Sequence, residues 1–268
     1  QELTLTDNLD DAFSDPDIDA VVLVTPHTQH ADQVVAGAAA GKHILTEKPF
    51  ALKKADGLRA AKAMTDAGLT LGIGHNYRYG AAVWEMKRII ESGKLGDIHH
   101  IEGNLSHQGQ IGVEGWRRSH DEAPTGGIVH FGAHIIDIMC WFGGPMREVY
   151  AQLESHILPA DVGSVLTRFE SGTTGYLANL MTSPASFHLQ VMGSEGWARA
   201  NGWMDTNKIT TCFGAGKIEE SGGITEELEL PYRDIYSQIR ANDENFATAC
   251  LGQEQYLFTP DEMAHTAA

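Results

Sequence analysis

The feature that most constrains this chain is an alternation near its start. Three short apolar runs, "AVVLVTP" (20–26), "HILTEKPF" (43–50) and "LTLGIGHNY" (69–77), are separated by two helical stretches. These are "HADQVVAGAAAGK" (30–42) and "KKADGLRAAKAMTDAG" (53–68), each stopped by a glycine. The first run is β-branched and lacks polar alternation, as suits a parallel strand covered on both faces. Strand, helix, strand, helix, strand predicts a doubly wound parallel sheet. Ahead of it, "LTDNLDDAFSDPDID" reads as a loop and a short helix capped by Asp7 or Asn8 and ended at Asp15-Pro16.

After residue 80 the rhythm changes. "AAVWEMKRIIESGKLGDI" (81–98) predicts a long amphipathic helix stopped by Gly93 and Gly96, and "HHIEGNLSH" follows it. From Val149 onward "VYAQLES", "VLTRFES", "TTGYLANL", "FHLQVMG" and "ARANG" alternate with period two, which predicts a largely antiparallel sheet with one solvated face. "DIYSQIRANDENFATACLG" predicts a closing helix. The fold class expected is therefore α/β: a partial doubly wound (Rossmann) domain over residues 1–75, then an α+β domain over 76–268 with a large, open, mostly antiparallel sheet.

Charge narrows the partners. Nineteen basic residues against 36 acidic ones give a formal charge of −17. Such a surface repels phosphate backbones, so no nucleic acid is expected. No stretch approaches the roughly 20 apolar residues that span a bilayer, and no signal segment opens the chain. Cys140, Cys212 and Cys250 are scattered and read as reduced and buried, in a cytoplasmic protein.

Three motifs carry chemistry. "GGIVHFGAHIID" (126–137) places His130, His134 and Asp137 along one face if it is α-helical throughout. That spacing suits an acid–base site, a metal site on the three residues, or two satisfied core histidines. "TEKPF" sets Glu47 and Lys48 at the carboxyl end of a predicted parallel strand, where open α/β sheets place ligands. Pro49 holds Lys48 out of helical geometry. The tripeptide alone describes a solvated loop lysine more readily than a ligand-facing one. "VTPHTQH" repeats the geometry with Thr25, Pro26, His27 and His30. No G-x-G-x-x-G is present, and "GAAAGKH" (37–43) is too short and too helical to be a phosphate loop.

In combination these segments resemble the Gfo/Idh/MocA oxidoreductases, the family of glucose–fructose oxidoreductase and inositol dehydrogenase. The similarity runs in order through "DPDIDAVVLVTPHTQHADQVVAGAAAGKHILTEKPFAL", "GHNYRYGAAVWEMKRIIESGKLGDI", "GWRR", "GGIVHFGAHIID", "GSEGWARANG" and "TPDEM". The resemblance implies an NAD- or NADP-dependent oxidoreductase acting on a sugar, polyol or related cyclic alcohol, and a homodimer or homotetramer built through the open sheet. It implies Lys48 beside the nicotinamide and the reacting hydroxyl, and His134 as proton acceptor. By the same resemblance Thr25, Pro26, His27, His30, Glu47 and Pro49 belong to the cofactor site. Asn76, Arg78, Trp116 and Arg117 match positions around the nicotinamide and substrate. No resident metal is implied.

Two departures stand out. The family usually carries Asp four residues before the catalytic His, and here that residue is His130, a third candidate for the catalytic group. The matched pattern also begins near the family's third strand, so about two βα units of roughly 30 residues each are not matched. The chain accordingly reads as a fragment of a longer protein. The rival readings are a metal-dependent enzyme using His130, His134 and Asp137, and a non-catalytic family member or fragment.

Overall fold

The computed structural model describes residues 4–108, 115–203, 205–214 and 224–267. Two compact units emerge: residues 1–74 with 243–268, and residues 75–242.

In the first unit, Asn8 caps α1 (Leu9–Ser14) by accepting from the Asp10 amide. The three apolar runs form β1 (Ala20–Leu23), β2 (His43–Thr46) and β3 (Leu71–Ile73), all parallel in the order β1-β2-β3. Helices α2 (His30–Ala39) and α3 (Lys54–Asp66) connect them. Among the described residues β1 ends the parallel sheet, and its Val22 is 61% exposed. The segment after Asp243 also belongs to this unit, whereas residues 76–268 were expected to stay together. Phe246 packs against Gly72, and the Tyr256 hydroxyl meets the Ile73 backbone at 3.1 Å. This core contact explains why the tail groups with the parallel sheet.

The second unit holds α4 (Ala81–Glu91), β4 (Ile98–Ser106), α5 (Ala133–Gly143), β5 (Met146–Glu154), β6 (Val162–Phe169), β7 (Thr174–Leu180), β8 (Ser186–Gly193) and β9 (Gly196–Gly202), with β4 inserted between β7 and β8. Two further strands, β10 (Lys208–Phe213) and β11 (Ile224–Glu229), complete an eight-stranded sheet, β11-β10-β9-β8-β4-β7-β6-β5. Only the β4–β7 pair is parallel. Alternation works as expected: Ile101 and Leu105 of β4, Val165 of β6, Leu177 of β7 and Leu189 of β8 turn one way. They bury against Met86 and Ile89 of α4 and Ile135, Ile138 and Met139 of α5. Gly103 sits where a Cβ would strike Ile135, so its missing side chain is what lets α5 lie flat on β4. The chain then runs through α6 (Ile235–Cys250) to α7 (Pro260–His265).

No helix among the described residues is long and apolar enough to cross a membrane. None of the three cysteines is in a disulfide; Cys212 is buried, and Cys140 and Cys250 are half-buried rather than buried as expected.

Candidate active site

In the first unit the candidate residues gather at the carboxyl edge of the parallel sheet. Register pairs Leu23 of β1 with Thr46 of β2, so the two following loops leave the sheet side by side. His30 ties those loops together. Its ring is fully buried, with Nδ1 2.8 Å from the Pro49 carbonyl and Nε2 2.9 Å from the Thr25 carbonyl. Carbonyls only accept, so a neutral His30 donates to one loop and an imidazolium to both. His27 packs edge-on against the same ring, and the Thr25 hydroxyl donates to Gln33 at 2.6 Å.

Beyond this staple the second loop is open to solvent. Glu47 is exposed and Lys48 half-buried, and the Lys48–Pro49 peptide is cis. The Glu47 carboxylate accepts from the Lys48 amide at 3.2 Å and lies against Gly74. Desolvation, and then the Glu47 charge, hold the Asp243 carboxyl above its usual range.

In the second unit the residues after β3 form a short 3-10 turn, Asn76–Tyr79, preceded by His75. This turn faces α5 through side chains. Arg78, completely buried, clamps Asp137 in a two-pronged pair: Nε to Oδ2 at 2.9 Å and Nη2 to Oδ1 at 2.8 Å. Its guanidinium also lies 5.0 Å from the Trp141 ring centre. One turn back along α5, the His134 ring is stacked on Tyr77 at 4.1 Å, while His75 meets it edge-on with the two Nδ1 atoms 3.5 Å apart. Burial, and then Asp205, push the Tyr77 hydroxyl well above the ordinary phenol range. Asn76 reaches Gln238 at 3.5 Å.

The segment leading into α5 is not α-helical. Residues Ile128–Gly132 form a π-helical turn, so the single α-helical face expected for His130, His134 and Asp137 does not exist. His134 and Asp137 share α5, whereas half-buried His130 sits in the wider turn before it. The turn is anchored from below. Gly126, at φ 51°, is pressed against the Pro159 and Ala160 carbonyls, and the Gly127 amide donates to Ala160 at 3.1 Å. A Cβ at either glycine would strike its neighbours. Asp161 braces that loop by accepting from the amides of His156, Ile157 and Leu158. Burial raises its pKa, but the three amides outweigh that and leave the carboxyl below its usual range.

The metal reading loses its third ligand here, since Arg78 occupies both Asp137 oxygens. Among the described residues no group of three His, Cys, Asp or Glu side chains could hold an ion. Trp116 lies half-buried in a 3-10 turn, Gly115–Arg118, and the side chain of Arg117 lies outside the described residues. The Arg78–Asp137 pair and the His75–Tyr77 cradle were not foreseen as a unit, because 59 residues of chain separate their partners.

Comparison with known proteins agrees in both units. The model of the oxidoreductase family with an NAD-binding Rossmann fold matches residues 2–75, and the GFO/IDH/MocA C-terminal domain matches residues 83–199. Over 134 residues, 49% of the chain, it is 33% identical to 1,5-anhydro-D-fructose reductase of Ensifer adhaerens. Over 69% of the chain it is 29% identical to scyllo-inositol 2-dehydrogenase (NAD(+)) of Bacillus subtilis. These matches span 40% and 56% of the two relatives' lengths. A levoglucosan dehydrogenase solved with NADH superposes on 98% of the chain, and on 78% of its own, with a TM-score of 0.86 at 22% identity. Matched in sequence by models of one family's N- and C-terminal domains, and in fold by an oxidoreductase of the same architecture, the chain belongs to the GFO/IDH/MocA oxidoreductases.

Proposed function

We propose that this protein is an NAD(P)-dependent dehydrogenase that oxidises a secondary hydroxyl of a sugar, polyol or related cyclic alcohol. The observation that carries the reading is the cradle around His134, a buried imidazole on α5 gripped by His75 and Tyr77. A general base is effective when its ring is held before the substrate arrives. The names of the relatives, reductases and dehydrogenases of anhydro-sugars and inositols, point to the same substrate class.

The carboxyl edge of the parallel sheet fits a nicotinamide cofactor. It offers the Thr25 hydroxyl and the Lys48 ammonium on loops fixed by His30, where open α/β sheets take such ligands. When bound, the cofactor supplies a hydride acceptor. Lys48 donates a hydrogen bond to the substrate oxygen and stabilises the charge that gathers there as the carbonyl forms. His134 takes the hydroxyl proton. Thr25, Pro26, His27, Glu47 and Pro49 line the cofactor, with Asn76, Trp116, Arg117 and His130 near the substrate. Arg78 acts at one remove, through Asp137. A metal-dependent reaction and a non-catalytic role have no comparable support.

We assign assembly to the open face of the large sheet, as a homodimer or homotetramer. Register aligns Tyr150, Leu166 and Tyr176 in one row on that face, at 62%, 55% and 37% exposure. Light scattering tests this, and a monomer counts against it. A cytoplasmic location accords with three cysteines outside any disulfide.

The deciding experiment follows reduction of NAD+ or NADP+ by absorbance with inositols and anhydro-sugars. The native protein turns over at least one of them, and Lys48→Met lowers kcat by about 100-fold or more. Near-normal turnover in that variant overturns the role of Lys48. Failure of the native protein with every substrate in the panel overturns the reading.

A further inference from the structure

The contact between His75 and His134 joins like to like. Both rings present Nδ1, 3.5 Å apart. Two lone pairs repel, and so do two N–H groups, so one Nδ1 carries a proton while the other accepts it. The tautomers of the two rings are therefore coupled. We propose that His75 is a positioning residue that accepts from the Nδ1–H of His134 and thereby keeps Nε2 of His134 as the proton-accepting atom.

The catalytic consequence rests on His134 being the base proposed above; the contact itself does not. Proton uptake at Nε2 turns His134 into an imidazolium with N–H on both nitrogens. His75 must then present a bare Nδ1 and hold its own proton on Nε2. In the polarity proposed, this arrangement is already present before the proton arrives, and nothing has to rotate or exchange. In the opposite polarity His134 would carry its resting proton on Nε2, where the substrate proton must go, and both rings would have to swap protons in every cycle.

Burial disfavours a charged ring, and two contacts offset part of that cost when the proton arrives. The Arg78 guanidinium, the nearby cation of the same turn, is cancelled by Asp137 through two hydrogen bonds. The face of Tyr77, stacked at 4.1 Å, attracts an imidazolium. Charged groups recorded beside this cluster include Arg78 and Asp137, with Asp205 acting on Tyr77. His75 and His134 are only 2% and 6% exposed, which limits exchange of their contact for water.

Neutral imidazole in water prefers its proton on Nε2, so an Nδ1–H form in the folded protein is the mark of an imposing neighbour. Long-range 1H–15N correlation spectra of the labelled protein, recorded where the ring is neutral, report the tautomer directly. The His134 signals are identified by their loss in His134→Gln. The expected result is Nδ1–H in the native protein, a return to Nε2–H in His75→Leu, and recovery of Nδ1–H in His75→Asn, whose carbonyl stands near the former Nδ1. In parallel, kcat in His75→Leu falls about 10- to 100-fold with KM little changed, and His75→Asn restores part of it. A native His134 protonated on Nε2 overturns the proposal, even if His75→Leu fails to fold. So does a tautomer that ignores the His75 substitutions. A tautomer that follows His75 in a protein without polyol turnover supports the contact and counts against the dehydrogenase reading instead.

Discussion

The two candidate clusters, one in each unit, are built by different means. In the first unit the working side chains ride on loops, and the fixing is done through backbone: His30 grips two carbonyls, leaving Lys48 half-buried and Glu47 exposed. In the second unit the fixing is done side chain to side chain in a dry interior, through Arg78–Asp137 and the rings of His75, Tyr77 and His134. A half-buried loop lysine can adjust toward a bound ligand, whereas an imidazole that must hold one orientation needs a rigid cradle. The difference implies that activity and stability are separable in the first unit and entangled in the second.

The strongest way to break that contrast is to cut the buried ion pair. Arg78→Met leaves an uncompensated carboxylate at Asp137, and denaturant unfolding should show a loss of about 3–5 kcal/mol. The double variant Arg78→Met/Asp137→Leu should recover most of it, because two apolar groups no longer need each other's charge. A loss below about 1 kcal/mol for the single variant would show that the second unit is not held by this pair.

A smaller effect belongs to Asp161, under the π-helical turn. Its carboxylate satisfies three amides, of which Asn can serve only some, so Asp161→Asn should cost about 1–3 kcal/mol at neutral pH. The sign with pH follows from its lowered pKa. The folded state releases this proton more readily than the unfolded one, so the contribution is complete above the ordinary carboxylate range near ~3.9 and fades as pH falls through the folded value. The gap between variant and native protein should therefore narrow in acid, and a gap independent of pH would discount the amide clasp.

The least effect is expected in the first unit. Asp243 keeps its proton more tightly when folded, so it weakens folding once the pH exceeds the unfolded value. Asp243→Asn removes that penalty and should stabilise the protein by under about 0.5 kcal/mol at pH 7, with no gain in strong acid. A clear destabilisation would show that this unit too depends on side-chain charge. Lys48→Met sharpens the same contrast, since its melting temperature should match that of the native protein while its turnover collapses.

Much of the frame was legible in the chain. The apolar runs at Ala20, His43 and Leu71 became parallel strands, and the alternating segments after Val149 became a sheet with one buried face. Other elements were missed for identifiable reasons. β10 ("KITTCF") and the edge strand β11 ("ITEELE") carry few apolar residues to mark a face. α7 did have a signal: Thr259 and Glu262 form a capping box with Pro260 at the first turn, which "TPDEM" displays in sequence. The π-helical turn had none. Its hydrogen bonds depend on Gly126 and Gly127 being pulled against the loop at Ala160, more than 30 residues away in the chain.

By itself the sequence determined what is local: where strands and helices form, which face of each is apolar, and that Lys48 follows a parallel strand. Period and turn chemistry are properties of neighbouring residues, and they survive without the rest of the chain. Only the tertiary structure selected the side chains that hold His134. It stacks on Tyr77 and meets His75, contacts that "GGIVHFGAHIID" does not display. That selection arises because burial of Arg78 demands a carboxylate, Asp137 supplies it, and the pairing draws the His75–Tyr79 turn onto one face of α5.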